Sequence, residues 1–205
     1  MAPGKLITIE GIDGAGKTTL APALLAALQE RGVAAQLLRE PGGVRTAELI
    51  RELVTNPQLE IGARAEALMY AAARAQLVEE AIEPLLSAGV WVLLDRFVDS
   101  SLAYQGGGRR LGVEPVRCIN RFATGTLVPD VTLLLAIDPE LGRRRSGARL
   151  ASPDRLELED DGFFARIATT YSELAVAEPG RIRTIDAAQT REAVLAAALA
   201  AIDSA

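Results

Sequence analysis

KLITIEGIDGAGKTTLAPALLAALQERG, residues 5–32, decides the fold. KLITIE is a short β-type run closed by Gly11, and Lys17 to Arg31 then carry apolar residues at helical spacing up to Gly32. Between strand and helix, GIDGAGKT at Gly11 to Thr18 fits GxxxxGK followed by Ser or Thr. In that setting the pattern has mechanical meaning. Glycines let backbone amides converge on phosphate oxygens, and the helix start adds positive potential. Lys17 bridges β and γ oxygens, and Thr18 can hold Mg²⁺. The expected ligand is a nucleoside triphosphate, its phosphates wrapped by Gly11, Ile12, Asp13, Gly14, Ala15, Gly16, Lys17, Thr18 and Thr19. Pro22 lies inside the helix, where it lacks a backbone donor and predicts a kink.

Outward from this unit, strands and helices alternate. AAQLLRE, VWVLLD, VTLLLAI and RIRTID read as further strands. TAELIRELV, Ala63 to Leu86, Val116 to Ala123, Phe163 to Ala177 and the final Ala/Leu segment read as helices. VWVLLD is apolar throughout, as for a strand covered on both faces. The order predicts a three-layer α/β fold of the P-loop NTPase kind, a mostly parallel five-stranded sheet flanked by helices. Its ligands should lie beyond the carboxyl ends of the strands. At 205 residues one domain, 1–205, is expected.

Composition narrows the chemistry. The chain has no His, which excludes Ser/His/Asp and Cys/His triads, His metal sites and an imidazole base. The formal charge of −5 argues against nucleic acid as a partner. Lone Cys118 forms no internal disulfide and reads as a helix-packing residue. The longest apolar run, Ala193 to Ile202, is about half a bilayer span, and no signal-peptide core opens the chain. No membrane association and a cytoplasmic location are therefore expected.

Three classes share the phosphate loop. A GTPase would need an NKxD-type guanine reader, and neither Asn56 nor Asn120 begins one. A regulatory or motor ATPase is usually longer, so a small-molecule kinase fits best. Asp95 ends the third strand where a carboxylate can serve Mg²⁺, and Arg96 would point at the cleft. If Asp99 or Ser100 caps a helix, Ser101, Tyr104 and Gln105 share one face at i, i+3 and i+4. Tyr70 and Arg74 are likewise i and i+4, suited to stacking on a base and bonding its edge.

GIDGAGKTT (11–19), REPGG (39–43), LMYAAARAQ (68–76), DRFVDSSLAYQG (95–106) and DRLE (154–157), in this order, resemble the thymidylate kinases over nearly the whole chain. The resemblance implies ATP-dependent phosphorylation of dTMP to dTDP for dTTP synthesis, with Mg²⁺, in a homodimer. It implies that Tyr70 stacks on thymine, that Arg74, Ser101 and Gln105 contact its edge, and that Arg96 holds the dTMP phosphate. Asp13 would meet the 3′-hydroxyl, Tyr104 would fill the space of a 2′-hydroxyl, and Pro41 would line the pocket. GRRRSGAR (142–149) resembles the family's lid over ATP, at about 142–158, with Arg145 and Arg149 matching the lid arginines. LASP before DRLE is one residue longer than the family pattern. The implied catalytic set is Lys17, Arg96, Arg149 and Asp13, with Thr18 and Asp95 at the metal. Another nucleoside monophosphate kinase, or a nucleotide-gated protein without catalysis, is the alternative.

The missing His then has a reason. A phosphate monoester has its second pKa near 6 and is mostly a dianion at neutral pH, so its attacking oxygen needs no base. A kinase acting on a hydroxyl would want a carboxylate there.

Overall fold

The computed structural model describes residues 3–125, 127–147 and 154–204. Five strands, β1 (Leu6–Glu10), β2 (Ala35–Arg39), β3 (Trp91–Asp95), β4 (Val131–Ala136) and β5 (Ile182–Asp186), form one sheet in the order β2-β3-β1-β4-β5. The sequence predicts a mostly parallel sheet, and every pairing is parallel. Helices α1 (Lys17–Glu30), α2 (Arg45–Thr55), α3 (Ala63–Leu77), α4 (Glu83–Ser87), α5 (Val98–Ser101), α6 (Val113–Thr124), α7 (Pro139–Gly147), α8 (Asp161–Ala177) and α9 (Arg191–Asp203) complete the described chain. None is long and apolar enough to cross a membrane.

β1, β3 and β4 are buried along nearly their whole length, as suits their Val, Ile and Leu content, with the buried Thr8 and Thr132 hydroxyls bonded to each other. At the edge, β2 is half-buried or exposed throughout and ends on the charged Arg39. From β1 the chain moves out to β2, returns to β3 and crosses to β4 and β5. The winding thus reverses at β1, whose carboxyl end carries the phosphate loop.

The structure departs from the sequence reading at several points. The segment from Ala63 to Leu86 is helical but passes through a π turn at Val78–Ile82. Asp99 and Ser100 lie within α5 and do not cap it, because α5 begins at Val98 and widens into a π segment, Leu102–Gly108. Cys118 does not pack inward. The buried face of α6 runs through Val116, Asn120 and Thr124, which turns position 118 to solvent. Pro22 sits on the exposed face of α1, which continues past it to Glu30.

Candidate active site

The loop after β1 is shaped by three glycines with positive φ: Gly11 (137°), Gly14 (79°) and Gly16 (99°). Gly16 precedes α1 and supplies no side-chain cap, which leaves the first helical amides for an anion. Ile12 and Ala15 are buried in the core, so they can offer only backbone groups to a ligand. Lys17 Nζ folds back over the loop and donates to the carbonyls of Gly11 and Ile12, each at 2.9 Å. Burial, and then the neighbouring Arg96, push its pKa down to about 8. Gly14 lies against the backbone of α7. A Cβ there would overlap the Gly142 carbonyl, and one on Gly142 would come within 2.8 Å of the Asp13 carbonyl oxygen.

A cavity of about 400 Å³ opens beside this loop, within the size range of small-molecule sites. All eight residues expected at the acceptor, Asp13, Pro41, Tyr70, Arg74, Arg96, Ser101, Tyr104 and Gln105, line it, together with Lys17, Thr18 and Asp95. Arg96 is at the centre. Its backbone adopts φ 71°, a conformation costly for a side-chain-bearing residue and held only where the surroundings dictate it. Its guanidinium pairs with Asp13 Oδ1 at 2.5 Å and donates to the Gly11 carbonyl, Ser100 Oγ and Tyr104 Oη, each at 3.2 Å. Tyr104 Oη in turn donates to Asp13 Oδ2 at 2.9 Å. Burial alone would raise the Asp13 carboxyl, but Arg96 and Lys17 overcome it and hold it below the ordinary carboxylate range.

Arg74 is fully buried in the cavity wall, and all its N–H groups are engaged. Nε donates to Glu40 at 2.8 Å, Nη1 to Ser101 Oγ at 3.0 Å and to Asn120, and Nη2 to the Phe97 carbonyl at 2.9 Å. An ion pair of 2.6 Å from Nη2 to Glu40 completes the set. Burial raises Glu40 to about 7 despite this partner. Tyr70, four residues earlier on α3, keeps its ring at the cavity, and burial raises its hydroxyl.

Several residues behind the cavity carry no motif of their own. Glu10 ends β1 fully buried and accepts from the Phe97 amide (2.7 Å), Ser100 Oγ (2.6 Å) and Tyr171 Oη (3.0 Å). Burial raises its pKa. Asp99 accepts two guanidinium bonds from Arg181, at 2.7 and 3.0 Å, which anchors α5 and with it Ser100 and Ser101. A charged residue closing an otherwise apolar buried strand is the one signal that marks Glu10 in the sequence.

A second cavity, about 750 Å³, lies on the other side of the same loop. It is bounded by Gly14, Gly16, Thr19, Arg145, Ala187 and Gln189, among others. Arg145 Nη1 donates to the Ala187 carbonyl at 2.9 Å. Arg149, the other arginine expected here, lies outside the described residues. Gly14 and Gly16 border both cavities, so the loop is the wall between them. Thr18 and Asp95 line the first cavity together. Among the described residues no cluster of three or more His, Cys, Asp or Glu could hold a metal by itself.

A profile of the thymidylate kinase family matches residues 9–198. Thymidylate kinase of Lactobacillus delbrueckii subsp. bulgaricus is 46% identical over 204 residues, 98% of this chain and 96% of its own. That of Deinococcus radiodurans is 45% identical over 202 residues, 98% of both chains, and that of Oenococcus oeni 48% identical over 202 residues, 97% of this chain and 95% of its own. With a glycine loop dividing two cavities and homology over almost its full length, the chain belongs to the thymidylate kinase family.

Proposed function

We propose that the chain transfers the γ-phosphoryl group of ATP to dTMP, the triphosphate crossing the loop from the larger cavity and the monophosphate held in the smaller. The observation that carries this reading is the Arg96, Asp13 and Tyr104 cluster, which joins the phosphate loop to the acceptor cavity. A cation in that position suits an anionic acceptor. The free amides at the start of α1 and the buried Lys17 suit a triphosphate. Thr18 and Asp95 together with phosphate oxygens suit Mg²⁺ better than a site built of protein ligands alone. When bound, Mg²⁺ offsets charge on the β- and γ-phosphates.

In this reading Lys17 exchanges its two carbonyl acceptors for β and γ oxygens, and Arg96 turns part of its guanidinium to the acceptor phosphate. Asp13, released from part of that pair, meets the 3′-hydroxyl, and Tyr104 occupies the 2′ position. Tyr70 stacks on thymine, with Pro41 opposite. Arg74, Ser101 and Gln105 read the base edge, Arg74 giving up one of its protein acceptors to do so. Catalysis rests on aligning two anions and neutralising them, with no proton removed from the acceptor. Arg145, with Arg149, serves the donor from a lid at about 142–158.

The enzyme is further proposed to act as a cytoplasmic homodimer. Leu49, Leu53, Leu68 and Phe122 expose apolar side chains on α2, α3 and α6, a patch suited to a second copy. Sedimentation of wild type and Phe122→Asp tests the dimer. The activity is tested by ADP release with ATP, Mg²⁺ and a panel of monophosphates. Turnover is expected with dTMP above dUMP, UMP and dAMP, and no turnover with dTMP refutes the assignment.

A further inference from the structure

A carboxylate that lines neither cavity ties four segments together. Glu66, in the first turn of α3, is fully buried. Its Oε1 accepts from Gln105 Nε2 at 2.9 Å, and its Oε2 from Arg155 Nη2 at 2.5 Å. Arg109 spans both oxygens with Nε, at 3.3 and 3.2 Å, and passes Nη1 to Glu159 at 2.5 Å. Arg155 is fixed at its other side by the end of α2. Its Nε donates to the Val54 carbonyl at 3.0 Å and its amide to the Thr55 carbonyl at 3.2 Å.

One end of this arrangement reaches the acceptor. Gln105 lines the smaller cavity, and an ionised carboxylate can only accept, so Glu66 draws the amide nitrogen to itself. The amide carbonyl is left for a donor such as the ring N–H of a pyrimidine dione. The other end runs along the rim of the smaller cavity, lined by Ser146, Asp154, Leu156 and Glu157, toward α7. Arg155 sits in a turn in which Asp154 Oδ1 accepts the amides of Leu156 (2.9 Å) and Glu157 (3.0 Å). Glu157 accepts from the Asp154 amide (2.9 Å) and from Ser146 Oγ (3.4 Å) on α7. The next residue along α7 is Arg145, at the larger cavity. Bonded contacts and this one step of chain thus run from one substrate cavity to the other through Glu66. Neither motif reading nor cavity lining assigns it a role.

We infer that Glu66 is a positioning residue that couples the two substrates. It sets the Gln105 amide for the base and, through Arg155, seats the turn at 154–157 between the smaller cavity and α7, whose Arg145 lines the larger one, so that each substrate favours binding of the other. The inference rests on Gln105 serving the acceptor.

The test is calorimetric titration of dTMP with and without saturating Mg²⁺ and β,γ-imido-ATP, on wild type, Glu66→Gln, Arg155→Ala and Arg155→Lys. In wild type the analogue should tighten dTMP by a factor within about 5 to 150, the usual span of coupling between sites. Arg155→Ala should bring the coupling factor close to one while leaving the affinity for the analogue alone unchanged, with Arg155→Lys recovering part of the coupling. Glu66→Gln should lose the coupling and also weaken dTMP alone, with the affinity for the analogue alone unchanged. A purely structural role would weaken both ligands alike. Coupling that persists in Arg155→Ala, or is absent from wild type, overturns the inference. Should Glu66→Gln fail to melt cooperatively, Arg155→Ala decides alone. Failure of wild type to bind dTMP is a different outcome, refuting the functional assignment and this inference with it.

Discussion

Lys17 offers the sharpest test of the donor site. Without a nucleotide its ammonium is buried and satisfied by two carbonyls, and its pKa is pushed down to about 8. The charged form is therefore about nine-tenths populated at pH 7 and about one-tenth at pH 9. A triphosphate favours the ammonium and should return its pKa toward the ordinary value of about 10.4. Binding then takes up a proton wherever the free protein has lost it, so affinity falls as pH rises through 8. The expected loss is about tenfold between pH 7 and 9, or about 1.4 kcal/mol. The phosphates do not titrate there, their last pKa being near 6. Calorimetry at pH 8 in buffers of different ionisation enthalpy should show uptake of about half a proton per ATP, absent from Lys17→Met. A heat independent of buffer, with affinity flat from pH 7 to 9, would refute the argument.

Tyr104→Ala should admit UMP as a substrate and, as a large-to-small change at a buried ring, cost about 3–5 kcal/mol of stability. Unchanged rejection of UMP in the coupled assay would remove the proposed sugar-reading role. Arg74→Met leaves the buried Glu40 without its cation and should cost about 3–5 kcal/mol in urea unfolding, with Glu40→Gln in the same chain recovering most of it. Arg145→Ala should raise the KM for ATP about tenfold, as loss of a charge-assisted contact does, with the KM for dTMP unchanged.

Much of this architecture is legible before any coordinates. Strands buried on both faces announce themselves as runs rich in Val, Ile and Leu, and the phosphate loop is marked by its place between β1 and α1. Motifs also bring the acceptor residues to one cavity. The π segment at Leu102–Gly108 is less readable, because its cause is distant. Gly107 lies where any side chain would overlap Thr170 on α8, so the packing partner sets the local winding. Arg74 shows the same limit. Spacing puts it beside Tyr70, but its partners Glu40 and Asn120 lie 34 and 46 residues away. Glu66, Arg109 and Arg155 belong to three separate segments, and only the fold makes them neighbours.

The contact between Gly14 and Gly142 bears on which sequences this enzyme can tolerate. GxxxxGK leaves the fourth position of the loop unspecified, since phosphate places no demand on its side chain. Here the demand comes from the loop's own backbone, with φ 79° at Gly14, and from the far side, where the backbone of α7 occupies the volume a methyl group would need. In a library with codons 14 and 142 randomised together, survivors should keep glycine at both positions. A position that looks permissive from the ligand's side is thereby closed twice, by its own backbone and by its neighbour.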